Sequence, residues 1–300
     1  MRTRALGPIE VTVVGLGCNN FGGRVDEAGT RAVIDAALAA GVTFFDTADI
    51  YGGGGGSETL IGKALDGRRD QVVLATKFGK SMGDGATRRG SRDYIRAAVD
   101  ASLERLQTDH VDLYQHHEED PDTPLEETFG ALAELVAEGK VRAVGTSNYA
   151  AATVERASKL ARSLELPYVS EQGEYSWLER DAERDLLETC ERLGLGFIPY
   201  FPLASGLLTG KVSRERPPEA GTRLHGRSID NDTLDRVERL AGWANAHGVS
   251  LLEVAIGGLL AVAPLVSVIA GATKPEQVRA NAAAGEWVPT AAELAELKAL

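Results

Sequence analysis

The residues able to do chemistry come in short polar groups, each just after an apolar or β-branched run. Asp46-Thr47-Ala48-Asp49-Ile50-Tyr51 follows residues 42–45, Thr76-Lys77 follows 72–75, and Gln115-His116-His117 follows 111–114. Further along come Thr146-Ser147-Asn148, Gln172, Tyr200 and Gly271-Ala272-Thr273-Lys274. An aspartate, a tyrosine, a lysine and a histidine brought together suit proton transfer to a carbonyl oxygen. A free tyrosine, with a pKa of about 10, is a slow donor near neutrality. An ammonium held by a carboxylate stabilises the phenolate and lowers that value, while a histidine can orient the carbonyl. The set fits reduction of a carbonyl, in which oxygen gains a proton as carbon gains a hydride.

Such residues meet only if the elements that carry them share a face. Short strand-like runs at 42–45, 72–75, 111–114, 141–144, 168–169, 197–200 and 265–269 alternate with helical patterns such as 28–40, 91–106, 125–138 and 150–163. That alternation predicts a parallel sheet covered by helices. Residues 11–16 read as an opening hairpin strand. Thr123 to Glu126, Ser250 to Glu253 and Thr273 to Glu276 each have capping-box spacing at a helix start. An open dinucleotide-binding sheet would carry G-x-G-x-x-G after its first strand, and Gly15-Leu16-Gly17-Cys18-Asn19-Asn20 lacks the third glycine. About eight units without that fingerprint predict an α/β fold of the (β/α)8 TIM barrel type with an N-terminal β-hairpin. No low-complexity linker interrupts the repeat, so residues 1–300 read as a single barrel domain. In such a barrel the residues beyond the C-terminal ends of the strands converge on one mouth.

Composition narrows the partners. Lys+Arg 32 against Asp+Glu 44 gives a formal charge of −12, the wrong sign for a nucleic-acid or anionic-membrane surface. With 43% hydrophobic and 25% charged residues the chain is globular rather than disordered. Cys18 and Cys190 form no C-x-x-C pair, and Met1-Arg2-Thr3-Arg4 leads into Gly7-Pro8 rather than an apolar leader, so a cytoplasmic location is expected. Residues 254–273 lack charge over nearly a bilayer's span, but Gly257-Gly258 and Pro264 divide them into an apolar helix, a turn and a buried strand.

Four segments in order resemble the aldo-keto reductase superfamily over nearly the whole chain. They are Asp46-Thr47-Ala48-Asp49-Ile50-Tyr51-Gly52, Val111-Asp112-Leu113-Tyr114-Gln115-His116-His117, Gly145-Thr146-Ser147-Asn148-Tyr149, and Pro202-Leu203-Ala204-Ser205-Gly206-Leu207-Leu208-Thr209-Gly210-Lys211. The resemblance implies an NADP(H)-dependent oxidoreductase that reduces aldehydes or ketones. Tyr51 is then the general acid, Asp46 and Lys77 tune it, and His117, three residues after Tyr114, orients a small-molecule carbonyl substrate. It also implies that Ser147, Asn148 and Gln172 hold the nicotinamide carboxamide and Tyr200 stacks on its ring. Gly17, Cys18, Asn19 and Asp46 would adjoin the cofactor. Phe201, Pro202, Leu203, Ser205, Gly206 and Leu207, with Lys211 and Arg223, would line the pyrophosphate. The adenosine end falls at Gly271, Ala272, Thr273, Lys274, Gln277 and Asn281, with Lys274 standing in for the lysine that many relatives carry where this chain has Gly271-Ala272. A fixed ammonium there rewards a 2′-phosphate and favours NADPH over NADH.

Competing readings are set by the same residues. A cofactor-binding, redox-sensing module resembling potassium-channel β subunits is the alternative function, and retention of His117 favours the enzyme. A metal site at His116-His117-Glu118-Glu119-Asp120 is not expected, because neighbours on an extended segment point oppositely. Cys18 reads as a small buried hydrophobe rather than a reactive thiol. Phe21, Trp177 and Leu224 are candidate walls of the substrate pocket, with loop packing the rival role for Trp177. Gly52 to Gly56 reads as a flexible run, and residues 210–231 as a long loop that closes over the cofactor or simply moves. The oligomeric state is not encoded in these motifs.

Overall fold

The chain begins by making a stopper. β1 (Thr3–Leu6) and β2 (Ile9–Thr12) pair antiparallel around Gly7-Pro8, and Gly7 takes the left-handed backbone that the turn requires. The expected single strand over 11–16 is divided at Val13: Val11 and Thr12 end the hairpin, and β3 (Val14–Gly17) opens a second sheet. The Thr12 hydroxyl makes the division. It accepts hydrogen bonds from the Thr43 and Phe44 amides, anchoring the bend to the neighbouring strand.

In the computed structural model, which describes residues 1–81, 83 and 85–300, the second sheet has eight parallel strands. After β3 come β4 (Phe44–Asp46), β5 (Val73–Phe78), β6 (Val111–His116), β7 (Val141–Ser147), β8 (Tyr168–Glu174), β9 (Gly196–Tyr200) and β10 (Val268–Gly271). β4 to β9 each pair with the strand before, and β10 pairs with β3. The ring is drawn together between β9 and β10, where Phe197 donates to the Pro264 carbonyl at 3.1 Å and accepts from the Val266 amide at 3.0 Å. This is the (β/α)8 architecture with its N-terminal hairpin. Helices including Glu27–Ala39, Arg92–Leu106, Leu125–Ala137 and Ala151–Ser163 cover the outer face. No helix among the described residues is long and apolar enough to cross a membrane.

Inside the ring, Phe44, Ala75, Leu113, Ala143, Val169, Ile198 and Ile269 form an apolar layer, sealed from below by Leu6, Ile9 and Val11 of the hairpin. Gly15 is required there, since a Cβ would stand 2.8 Å from the Phe44 ring and 2.9 Å from Ile269. Above this layer the inward positions turn polar: Asp46, Lys77, Gln115 and Gln172. For that reason the strands outrun the apolar runs, β5 reaching Phe78 and β8 reaching Glu174.

Of the three expected capping boxes only Ser250 with Glu253 forms. Thr123 donates its hydroxyl to Asp120 instead, and Pro124 begins the helix. Thr273 bonds the Gln277 carboxamide oxygen rather than Glu276. A fourth box, Thr290 with Glu293, starts the last helix. Gly257-Gly258 does not break the helix that follows Ser250; it forms a buried π-helical turn. A Cβ on Gly257 would stand 2.5 Å from the Trp287 carbonyl oxygen, so the glycine permits close helix packing.

Behind β8, the outward-facing Glu171 is fully buried. It accepts from the Thr146 hydroxyl and the Tyr149 amide, yet burial raises its carboxyl to about 8. A carboxyl whose folded pKa lies above its unfolded value binds its proton more tightly when folded. Its contribution to stability is therefore fully present below about pH 4 and is lost as pH rises toward 8. Glu171→Gln should remove that slope, gaining about 2 to 4 kcal/mol on the parent between pH 5 and pH 9. Urea unfolding at the two pH values checks this, and parallel profiles would show the carboxyl to be uninvolved.

Candidate active site

The polar layer at the barrel mouth is built around a buried ion pair. Lys77 on β5 donates its ammonium to Asp46 Oδ1 at the end of β4 and, at 2.9 Å, to the Thr47 carbonyl. Both side chains are almost wholly enclosed. The other Asp46 oxygen accepts from Gln115 Nε2 and Gln172 Nε2, each at 3.0 Å, and Gln172 Nε2 also lies 3.1 Å from Gln115 Oε1. The carboxylate is thus supplied with donors on both oxygens, as a charge removed from water requires.

Tyr51 lies on the loop that follows β4, with the Lys77 ammonium 5.2 Å from its ring centroid. Burial opposes the lysine's charge, but Asp46 and Tyr51 together hold its pKa above the ordinary value. For Tyr51, burial outweighs Lys77 and raises the phenol's pKa, contrary to the lowering expected from a neighbouring ammonium. The phenol is neutral near pH 7, and the ammonium is placed to stabilise a phenolate as it forms.

His117, one residue past β6, packs edge-on to Tyr51 at a centroid distance of 5.9 Å. Burial, then the charges of Lys77 and Lys80, lower its pKa to about 2, so the ring is neutral and can donate one N–H. Its carbonyl accepts from Asn148 Nδ2 at 2.9 Å, and the Tyr200 hydroxyl donates to Asn148 Oδ1 at 2.8 Å. His116 points the other way. Its Nδ1 meets the Tyr149 hydroxyl at 2.7 Å and its ring stacks on Phe78, while burial lowers its pKa to about 4.

Asp46, Tyr51, His117, Asn148, Gln172 and Tyr200 line a cavity of about 1050 Å³, with Lys77 and Gln115 enclosed behind them; Arg24, Lys80, Lys211, Arg223 and Lys274 stand on its walls, beside Glu219 and Glu276. Arg223 crosses the mouth: its guanidinium stacks on the Phe201 ring and donates to the Asn19 and Asn20 side chains. No group of His, Cys, Asp and Glu suited to a metal ion occurs among the described residues.

The model of the aldo/keto reductase family matches residues 13–300. The chain belongs to the aldo/keto reductase family. A curated relative from Glycine max, named probable aldo-keto reductase 1, is 35% identical over 284 residues, covering 91% of this chain and 80% of the relative. Aldo/keto reductases are oxidoreductases acting on carbonyls, and they generally use a nicotinamide cofactor.

In this aldo/keto reductase the residues expected around a dinucleotide nearly all face the cavity. Ser147, Leu207 and Ala272 do not; they are buried behind its wall, Ser147 receiving Asn148 Nδ2 on its hydroxyl. Leu224 lines the cavity, but Phe21 and Trp177 lie outside its walls. Phe21 is enclosed beneath the glycine turn, with its carbonyl 2.7 Å from where a Gly52 Cβ would sit. Trp177 donates its indole N–H to the Val254 carbonyl at 2.7 Å, so loop packing is its role. Nor is the glycine run uniformly free: a Cβ on Gly55 would meet the Arg105 side chain at 2.4 Å, and only Gly53 and Gly54 face open space. Cys18 is buried, with its thiol pushed well up by burial, as suits a small hydrophobe.

Two features carried no assigned role in the sequence reading. Gln115, within a strand, looks like one more polar residue until Asp46 is seen beside it, and Lys80 had no motif to mark it. Gln115→Leu removes one bond to a buried carboxylate, worth about 1.5–3 kcal/mol, and should slow carbonyl reduction by about tenfold or more. Steady-state kcat measures this, with circular dichroism to confirm folding. An unchanged kcat would mean that Gln172 and Lys77 suffice to hold Asp46.

Proposed function

We propose that this chain is an NADPH-dependent reductase of aldehydes or ketones, acting as one barrel domain in the cytoplasm. The observation that carries the reading is the meeting of Tyr51, Asp46 and His117 at a cavity lined by five lysines and arginines, with Lys77 enclosed beneath Tyr51 and paired with Asp46. The free, buried thiols of Cys18 and Cys190 accord with a reducing compartment.

The donor set suits an extended, anionic dinucleotide. Asn148 and Gln172 offer carboxamides deep in the cavity, Tyr200 a ring face, and Lys211, Arg223 and Lys274 the positive charge that phosphates require. Lys274 is the N-cap of the helix Pro275–Ala284 and lines the cavity, so a 2′-phosphate there would meet an ammonium at the positive end of a helix. The reduced nicotinamide supplies the hydride when bound. The chain supplies the rest: His117 orients the carbonyl oxygen with an N–H, and the Tyr51 hydroxyl gives that oxygen its proton. Lys77, steadied by Asp46, stabilises the phenolate left behind.

Two tests follow from the protonation states. Tyr51→Phe removes the proton donor and should lower reduction of aromatic and aliphatic aldehydes by about 10²–10⁴-fold while NADPH still quenches tryptophan fluorescence. Binding with no Tyr51-dependent turnover would instead support the redox-sensing module. With His117 lowered to about 2 and Tyr51 raised, both are neutral from pH 5 to 8. The parent's rate of reduction should therefore show no histidine limb in that range and fall only in alkali as the phenol ionises. A limb near pH 6.5 would require a charged imidazole and overturn this account of His117.

A further inference from the structure

The cavity cations fall into two groups by position on the ring. Lys211 and Arg223 follow β9, Lys274 follows β10 and Arg24 follows β3, so these four sit on adjacent walls. Lys80 follows β5, which stands four strands from β9 in either direction around the barrel. It therefore faces the cavity from across the ring to Lys211 and Arg223, which follow β9. Its neighbours on the ring are the loops after β4 and β6, which carry Tyr51 and His117.

Lys80 is also uncommitted. It is half-buried, and among the described residues no carboxylate forms an ion pair with it. A lysine whose only task was solubility would extend into water; this one stands on the cavity wall, and its charge reaches His117. A half-buried ammonium with no counter-ion among the described residues is already partly stripped of water, so a ligand carboxylate can replace that hydration at reduced cost.

We propose that Lys80 directs this site toward carbonyl substrates that carry a carboxylate, holding that group while the carbonyl lies between Tyr51 and His117. The proposal rests on the reductase reading given above and adds the chemical class of substrate to it. Lys80 acts in binding and orientation; the proton still comes from Tyr51. The preference belongs to the β5 side of the mouth, apart from the charges placed for the cofactor.

A matched pair of substrates isolates the charge: 4-carboxybenzaldehyde and its methyl ester share a ring and a reacting carbonyl. With the full-length protein and NADPH, the acid-to-ester ratio of kcat/KM should fall at least about tenfold in Lys80→Met, the scale of one charge-assisted hydrogen bond. Lys80→Arg should keep most of the parent's ratio. Comparing ratios between variants cancels the different intrinsic reactivities of the two aldehydes, and ester turnover by Lys80→Met shows that the variant is folded. Added sodium chloride should depress the acid's kcat/KM in the parent more than in Lys80→Met. An acid-to-ester ratio that is the same in the parent and Lys80→Met overturns the proposal. If the ester is reduced in a Tyr51-dependent manner under that result, the reductase reading stands alone. If neither aldehyde is reduced although NADPH binds, both readings fall.

Discussion

A lysine and an aspartate enclosed in the centre of a β-barrel set the terms for the rest of this molecule. Separated, either charge would be intolerable inside the ring; together they require donors and acceptors on every remaining position. Thr47 answers with a backbone carbonyl, and Gln115 and Gln172 answer with carboxamides from strands across the barrel. Four strands are thereby tied by one polar cluster at their C-terminal ends. The cluster gives Tyr51 a fixed positive neighbour and keeps the apolar layer below it dry. Removing one partner would leave a buried charge exposed to a low-dielectric interior, so the pair and its supports act as a unit rather than as separate contributions.

Burial and charge oppose each other at one of the groups nearest that pair and reinforce each other at the next. At Tyr51 the loss of hydration outweighs the attraction of Lys77. At His117 the two add, since desolvation and two ammonium groups all disfavour the imidazolium. The outcome is a neutral phenol beside a neutral imidazole, each with a proton to donate, over the Lys77–Asp46 ion pair. An acidic chain with a formal charge of −12 nevertheless presents a cationic cavity. Local arrangement, not the total, decides what enters it.

Much of this was legible in the sequence because barrels put chemistry where strands end. Type and placement offered an aspartate, a tyrosine, a lysine and a histidine at the strand ends, the family resemblance singled out Asp46, Tyr51, Lys77 and His117 among them, and eight strand signals without a glycine fingerprint pointed to a closed ring. The strand ends were less legible. Apolar periodicity stops at the height where the interior turns polar, so Lys77, Ser147 and Gln172 read as lying beyond strands that in fact contain them. Capping boxes failed at Thr123 and Thr273 because Asp120 and Gln277 are better-placed partners, a choice made by tertiary geometry. Gly257 read as a breaker because a close helix crossing has no local signature. Trp177 could not be assigned between a pocket wall and a packed loop until its indole N–H had a partner.

The N-terminal hairpin fills the bottom of the ring with Leu6, Ile9 and Val11 and is pinned there by Arg4, which reaches the Leu260 and Leu265 carbonyls. A barrel stoppered at one end is a vessel with a single opening. Ten residues far from any reacting atom thereby leave the mouth at the C-terminal strand ends as the open face, and the polar cluster there rests on a base closed against water.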